Sequence, residues 1–284
     1  MMMSDTELLL GYDYDAWING GEKIPIATDV SLKTNSHMII TGISGSGKSY
    51  FEEIVMARIA KQGGIIYFGD FKQEDAFIHL RSCPRYYPYY QAEDAINTVY
   101  SILHRRLAGD DKAREQITLI VDEYISLVLS LSSTEKKRAE SIMRKVSEIL
   151  MLGRSMGVRI IISCQRPDAS AFPSGSRLNY GICVVLGASF KSIYEMLMPQ
   201  EYIDLVGERK FKVGEGVVVL QGSELRFIKT PIVRDKEHIH ALCIDALTRT
   251  LSEGADGEAV EAPTSDIVLP DVRTHTSKLD EIRL

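Results

Sequence analysis

Short apolar runs recur along the chain at residues 37–41, 64–69, 117–121, 158–163 and 181–187, each about five or six residues long, the length of a buried strand. Between them the apolar positions take helical spacing. Residues 50–62 place Phe51, Ile54, Val55 and Ile59 on one face, and residues 135–152 place Ile142, Met143, Val146, Ile149 and Leu150 on another. Ser132 and Glu135 read as a capping box for the second of these helices. Strands alternating with helices predict right-handed crossovers and a mainly parallel sheet covered on both faces, a three-layer α/β domain.

From about residue 210 the pattern changes. Gly214-Glu215-Gly216 precedes an apolar run at 217–221, and Gly222-Ser223 separates it from 225–229, which predicts an antiparallel hairpin at a sheet edge. A last helix is expected over 236–251. Residues 253–284 are rich in Ser, Thr, Pro, Asp and Glu with few aromatics, the composition of a disordered tail. The chain thus divides into an N-terminal segment (1–32), one main domain (33–251) and the acidic tail (252–284).

Composition narrows the class. With 284 residues of which 45% are hydrophobic, there is material for one sizeable core. Cys83, Cys164, Cys183 and Cys243 are scattered without CxxC spacing, so neither a disulfide framework nor a zinc site is expected, and a reducing cytoplasm fits best. No apolar run reaches the roughly 18 residues of a membrane span, and Asp5 and Glu7 before Leu8 to Leu10 are unlike a signal peptide. The net charge of −6 excludes a surface that coats nucleic acid by bulk electrostatics and leaves room only for a local basic channel.

The chemistry begins at Gly42-Ile-Ser44-Gly45-Ser46-Gly47-Lys48-Ser49, which matches GxxxxGK[ST] and lies after a predicted strand and before a predicted helix. In that setting backbone amides of the loop, from Gly42 through Tyr50, surround the phosphates of ATP. Lys48 reaches the β and γ phosphates, and Ser49 is a ligand for Mg2+. A P-loop alone does not separate a kinase, a GTPase and a motor. A second motif does more: Ile117-Thr-Leu-Ile-Val121-Asp122-Glu123 is a buried strand ending in two acids, which places Asp122 near the metal and Glu123 where it orients and deprotonates the attacking water. The run at 64–69 suggests a strand inserted between the P-loop strand and the acidic strand, a RecA-like arrangement. Gln165, after the strand at 158–163, is the candidate sensor of the γ-phosphate. No NKxD guanine-recognition motif is present.

Further marks add a resemblance. His37-Met-Ile-Ile-Thr-Gly42 leading into the P-loop, Asp70-Phe-Lys72 after the second strand, and Gly153-Arg154-Ser-Met-Gly157-Val into Ser163-Cys-Gln165-Arg166-Pro167 resemble the FtsK/SpoIIIE branch of the FtsK and HerA superfamily of hexameric DNA-pumping ATPases, over roughly residues 33–233. The resemblance implies a RecA-like P-loop NTPase core, ATP at subunit interfaces of a homo-oligomeric ring, and DNA, single or double stranded, as the partner. Leu103-His-Arg105-Arg106-Leu107 resembles the family's Glu-Met-x-x-Arg-Tyr helix, with Leu107 where tyrosine is usual, and makes Arg106 the candidate arginine finger acting on a neighbour's ATP.

The sequence shows no membrane-anchoring segment, long linker or winged-helix module. This points to compact versions carried by conjugative or mobilisable elements, plasmids and phages, with a relaxase, replication or secretion-channel partner. Related ATPases of type VII secretion, which share Asp-Phe-Lys and act on protein substrates, are the alternative. Other features read as structural: the Tyr86-Tyr-Pro-Tyr-Tyr90 run as packing, Lys136-Lys-Arg138 as a solvated helix face, and His238 and His240 as residues on different helix faces, unsuited to a joint metal site.

Overall fold

A computed structural model describes residues 7–29, 37–113, 115–172 and 179–251; the predicted tail lies outside them. The strands are β1 (Glu7–Asp13), β2 (Pro25–Asp29), β3 (His37–Gly42), β4 (Ile65–Asp70), β5 (Tyr86–Pro88), β6 (Ile117–Asp122), β7 (Val158–Cys164), β8 (Tyr180–Leu186), β9 (Glu215–Leu220) and β10 (Glu224–Lys229). The helices are α1 (Tyr14–Gly20), α2 (Lys48–Lys61), α3 (Ala92–Ala108), α4 (Tyr124–Thr134), α5 (Lys136–Leu152), α6 (Lys191–Leu197), α7 (Gln200–Val206) and α8 (Lys236–Thr248).

The strands form one sheet in the order β2-β1-β10-β9-β8-β3-β7-β6-β4-β5. From β8 to β5 all pairs are parallel, and from β8 to β2 all are antiparallel. Every residue of β3, β4, β6 and β7 is buried, as expected of parallel strands covered on both faces. Successive side chains alternate between two cores. Met38 and Ile40 pack with Phe51, Val55 and Ile59 of α2 and with Ala246 and Leu247 of α8, whereas Ile39 packs with residues of α3, α4 and α5. The three layers expected from the sequence are present, each face held by side chains contributing about 1.5–3 kcal/mol apiece on burial.

The structure departs from expectation in three places. The strand between the P-loop strand β3 and the acidic strand β6 is β7; β4 lies on the far side of β6. Chain order could not reveal this, because the crossover from β3 to β4 passes over two places that β7 and β6 fill later. The β9–β10 hairpin forms the edge of the parallel body but not of the whole sheet, since β1 pairs with β10 and β2 with β1. Residues 7–29 therefore join the main sheet. Finally, Ser132 and Glu135 make no capping box. Ser132 falls in the last turn of α4, and Glu135, at φ −139°, joins α4 to α5 without a capping hydrogen bond from its side chain.

Of the aromatic run, Tyr86 packs as expected, buried and donating to Asp70 Oδ2 at 2.7 Å, whereas Tyr89 is exposed. In the basic run Arg138 pairs with Glu93 and Glu135 on the helix surface.

Candidate functional site

All the chemistry-bearing loops of the parallel body gather at the carboxyl ends of its strands, where ligands bind in open α/β sheets. The P-loop leaves β3 and enters α2 at Lys48. Gly47, the residue before that helix, has φ +93°, and a side chain on it would meet the backbone of Gly214 at 3.1 Å. Gly214 N donates to Ser46 O at 2.9 Å, so the entry to β9 braces the loop from behind. Tyr50 adds a second brace, its hydroxyl accepting from Val233 N (2.6 Å) and donating to Pro231 O (3.0 Å).

Lys48 is the centre of the site. Its ammonium donates to Asp122 Oδ1 at 2.6 Å and Ser163 Oγ at 2.9 Å and lies 3.6 Å from Glu123 Oε1. Burial opposes the lysine's charge, but the acidic side chains of Glu52, Asp122 and Glu123 outweigh it and hold the ammonium protonated well above its usual range. β7, lying between β3 and β6, brings Ser163 into this group. Asp122 is fully buried, and its Oδ2 has no hydrogen-bond partner within the chain.

Glu123 sits one residue past β6 with φ +55°, an unusual conformation for a side chain with a Cβ, at the start of α4. Its carboxyl is raised chiefly by burial, and Ser126 Oγ donates to Oε2 at 3.3 Å.

Two cavities meet here. One, of about 280 Å3, is lined by P-loop residues between Ile43 and Tyr50, Ser46 excepted, together with Lys72, Glu74, Gln165 and Val213. The other, of about 380 Å3, is lined by Phe71, Lys72, Gln73, Tyr89, Glu123, Ser126 and Gln165. Gln165 and Lys72 therefore face both, at the boundary between the P-loop and Glu123. Gln73 (φ +56°) and Tyr89 (φ +51°) share the second cavity with Glu123, so three of the four non-glycine residues with positive φ among those described line one space. Backbone strain of this kind, about 1–3 kcal/mol per residue, gathers where the surroundings hold a functional geometry.

Three residues of the site escaped the sequence analysis. Glu52, one helical turn after Lys48, is 1% exposed, and burial pushes its carboxyl up to about 8, with Lys48 acting in the opposite sense. Its i+4 spacing from Lys48 was a usable signal. Ser163 was noted only as part of a run. Glu74 had no signal at all, because a turn after β4 brings it in. It accepts from Ser49 Oγ at 2.5 Å and from Lys72 Nζ at 2.6 Å. Burial alone would raise its carboxyl, but those two hydrogen bonds hold it below the usual range.

The residues fit both expected ligands. Loop amides and Lys48 suit a triphosphate. The hydroxyl of Ser49, the unpartnered oxygen of Asp122 and the nearby carboxylate of Glu74 form an all-oxygen donor set suited to Mg2+.

Arg106 is a correction. Its side chain is fully buried at the end of α3, with Nε donating to Asp111 Oδ2 at 3.2 Å and Nη1 to the carbonyls of Glu115 (3.0 Å) and Met156 (2.8 Å). It ties α3 to the segments before β6 and β7. A guanidinium held on three sides inside one chain does not reach a neighbour's phosphate.

The fold and the P-loop site define a P-loop NTPase of RecA-like type. No family model matches the chain. Among curated proteins it is similar to the FtsK domain-containing protein YdcQ of Bacillus subtilis (strain 168), 25% identical over 257 residues, covering 84% of this chain and 52% of the relative. The chain thus spans about half the length of the curated relative it matches.

Solved structures of similar fold include the pCW3 conjugation coupling protein TcpA with ATPγS (TM-score 0.66, 18% identity, 85% of this chain and 70% of that one). VirB4 of Thermoanaerobacter pseudethanolicus is another (TM-score 0.60, 12% identity, 84% and 100%). A third is the cytoplasmic domain of the Thermomonospora curvata type VII secretion ATPase EccC (TM-score 0.60, 18% identity, 88% and 32%). The resemblance to FtsK-type ATPases read from the motifs stands in the curated comparison, and the solved structures share the fold. No helix among the described residues is long and apolar enough to cross a membrane.

Proposed function

We propose that this chain is an ATP-hydrolysing DNA translocase, working as a homo-oligomeric ring, a hexamer by the family's pattern, that moves DNA during conjugative transfer, mobilisation or replication of a mobile element. The observation that carries the proposal is the Lys48 group: a buried ammonium bonded to Asp122 and Ser163, with Glu123 within 3.6 Å and Gln165 at the boundary of two cavities. Partly exchangeable carboxylate partners around a buried cation suit a site where phosphate oxygens take their place.

In this reading the loop amides and Lys48 bind the triphosphate, and Ser49 and Asp122 hold Mg2+, which supplies charge neutralisation on the phosphates when bound. Glu123 accepts the proton of the attacking water; burial raises its carboxyl, which strengthens it as a base. Gln165 contacts the γ-phosphate end and reports its loss across the boundary to Phe71 and Tyr89. The Ser49 hydroxyl gives its proton to Glu74 and keeps its oxygen lone pairs for a metal, so a change at the metal site reaches Lys72 of the Asp-Phe-Lys loop through the Lys72–Glu74 pair. The name of the conjugation coupling protein TcpA supports a place in conjugative transfer; direct partners there would be a relaxase or a secretion channel.

The test is ATP hydrolysis by the purified protein with double-stranded DNA, single-stranded DNA and no DNA. Stimulation by DNA is expected, with Glu123→Gln reducing turnover by about 100- to 10,000-fold while nucleotide still binds. Hydrolysis indifferent to both DNAs would overturn the DNA reading and favour a protein substrate, the secretion-type alternative.

A further inference from the structure

One polar cluster outside the nucleotide site has no role in that mechanism. Glu53 points from α2 away from the site that its neighbour Glu52 faces. Against it lie His79, from the 3-10 turn Asp75–Leu80, and His240 of α8. One ligand atom from each of the three residues falls within 4.8 Å of the others. Glu53 Oε1 is 3.4 Å from His240 Nε2 and 3.9 Å from His79 Nε2, and the two imidazoles stack with centroids 3.8 Å apart and planes 12° from parallel. The three side chains come from elements remote in sequence, so no local motif could announce the cluster.

The environment is unusual for a merely structural histidine pair. The His79 side chain is 10% exposed, and its Nε2 is buried without a hydrogen bond, the carboxylate being too distant. Leaving such a nitrogen unpaired costs free energy that a bound ligand would recover. His240 is 35% exposed on its side chain and lies on the open side. In the stacked arrangement the two lone pairs run nearly parallel, so coordination requires one ring to turn; His240, with solvent beside it, is the one with room to do so.

We infer that Glu53, His79 and His240 form a binding site for a divalent transition-metal ion of the Zn2+ class. Two imidazole nitrogens and one carboxylate oxygen, with a fourth position open to water beside His240, suit tetrahedral zinc rather than magnesium, which prefers six oxygens. The site would clamp α2, α8 and the turn 75–80 together. Because Glu74 directly precedes that turn and holds Ser49 at the head of α2, the ion would also fix the spacing between the P-loop helix and the segment contacting it.

The experiment uses the purified full chain, stripped with a chelator and titrated with Zn2+, with Mg2+ as control, by calorimetry and thermal melting. One Zn2+ per chain is expected, with Tm rising by roughly 5–10 °C at hundredfold excess over Kd and no such rise from Mg2+. His240→Ala should abolish both effects, whereas His238→Ala, an exposed histidine two residues away, should retain them. Should His240→Ala melt lower even without metal, visible absorption of Co2+ decides, since parent and His238→Ala would show tetrahedral Co2+ bands and His240→Ala would not. Absence of one-to-one binding, or binding that survives in His240→Ala, would overturn the proposal.

Discussion

Lys48 and Arg106 are both buried cations, 6% and 3% exposed, and both sit among acids, yet they belong to different kinds of site. Arg106 spends its fork on Asp111 and on two backbone carbonyls, which cannot be removed without moving the chain. Lys48 is held by the side chains of Asp122 and Ser163, beside a cavity lined by loop amides. The first cation is fully enclosed and serves as a tie between segments. The second has partners that a polyanion can displace, and it opens on the space from which the polyanion arrives. Burial and charge alone do not distinguish a working cation from a structural one; the nature of its acceptors does.

The contrast breaks most easily at Arg106. Arg106→Met takes the guanidinium partner from Asp111 Oδ2 and from two carbonyls and should cost about 3–5 kcal/mol in denaturant unfolding. If Arg106 instead acted on a neighbouring subunit, stability would hold and only turnover would fall. Lys48→Met should show the complementary pattern. Nucleotide affinity, read by fluorescence of a labelled analogue, should drop by at least about tenfold, as loss of one or two charge-assisted hydrogen bonds of about 1.5–3 kcal/mol each requires. The far-ultraviolet spectrum of the folded chain should be kept.

Glu52 gives a finer test. Its carboxyl is protonated in the fold up to about pH 8 but ionises near the usual glutamate value in the unfolded chain. Its stabilising effect is therefore complete below the unfolded value and is lost as pH rises toward 8, by about 1.4 kcal/mol per pH unit for one proton. Glu52→Gln should flatten unfolding free energy between about pH 5 and 8. An unchanged slope would show that Glu52 is ionised beside Lys48.

The same contrast explains what could be read early. Lys48, Ser49, Asp122 and Glu123 lie in two short motifs whose local setting, strand then loop and strand then acid, survives in the structure. Arg106 was misjudged because its helical motif says nothing about depth. Whether that face of α3 meets solvent depends on the segments before β6 and β7, far along the chain. Glu74, Ser163 and the Glu53–His79–His240 cluster were missed for the same reason.

Local order thus determined the α/β class, the P-loop and its acidic partner, and the amphipathic helices, since each rests on periodicity or on residues within one turn of one another. The tertiary structure alone decided that β7 lies between β3 and β6, that β1 and β2 extend the hairpin, and that Arg106 faces inward. Those outcomes depend on pairing and packing between segments tens of residues apart, where side-chain type constrains the choice only after the whole sheet is assembled.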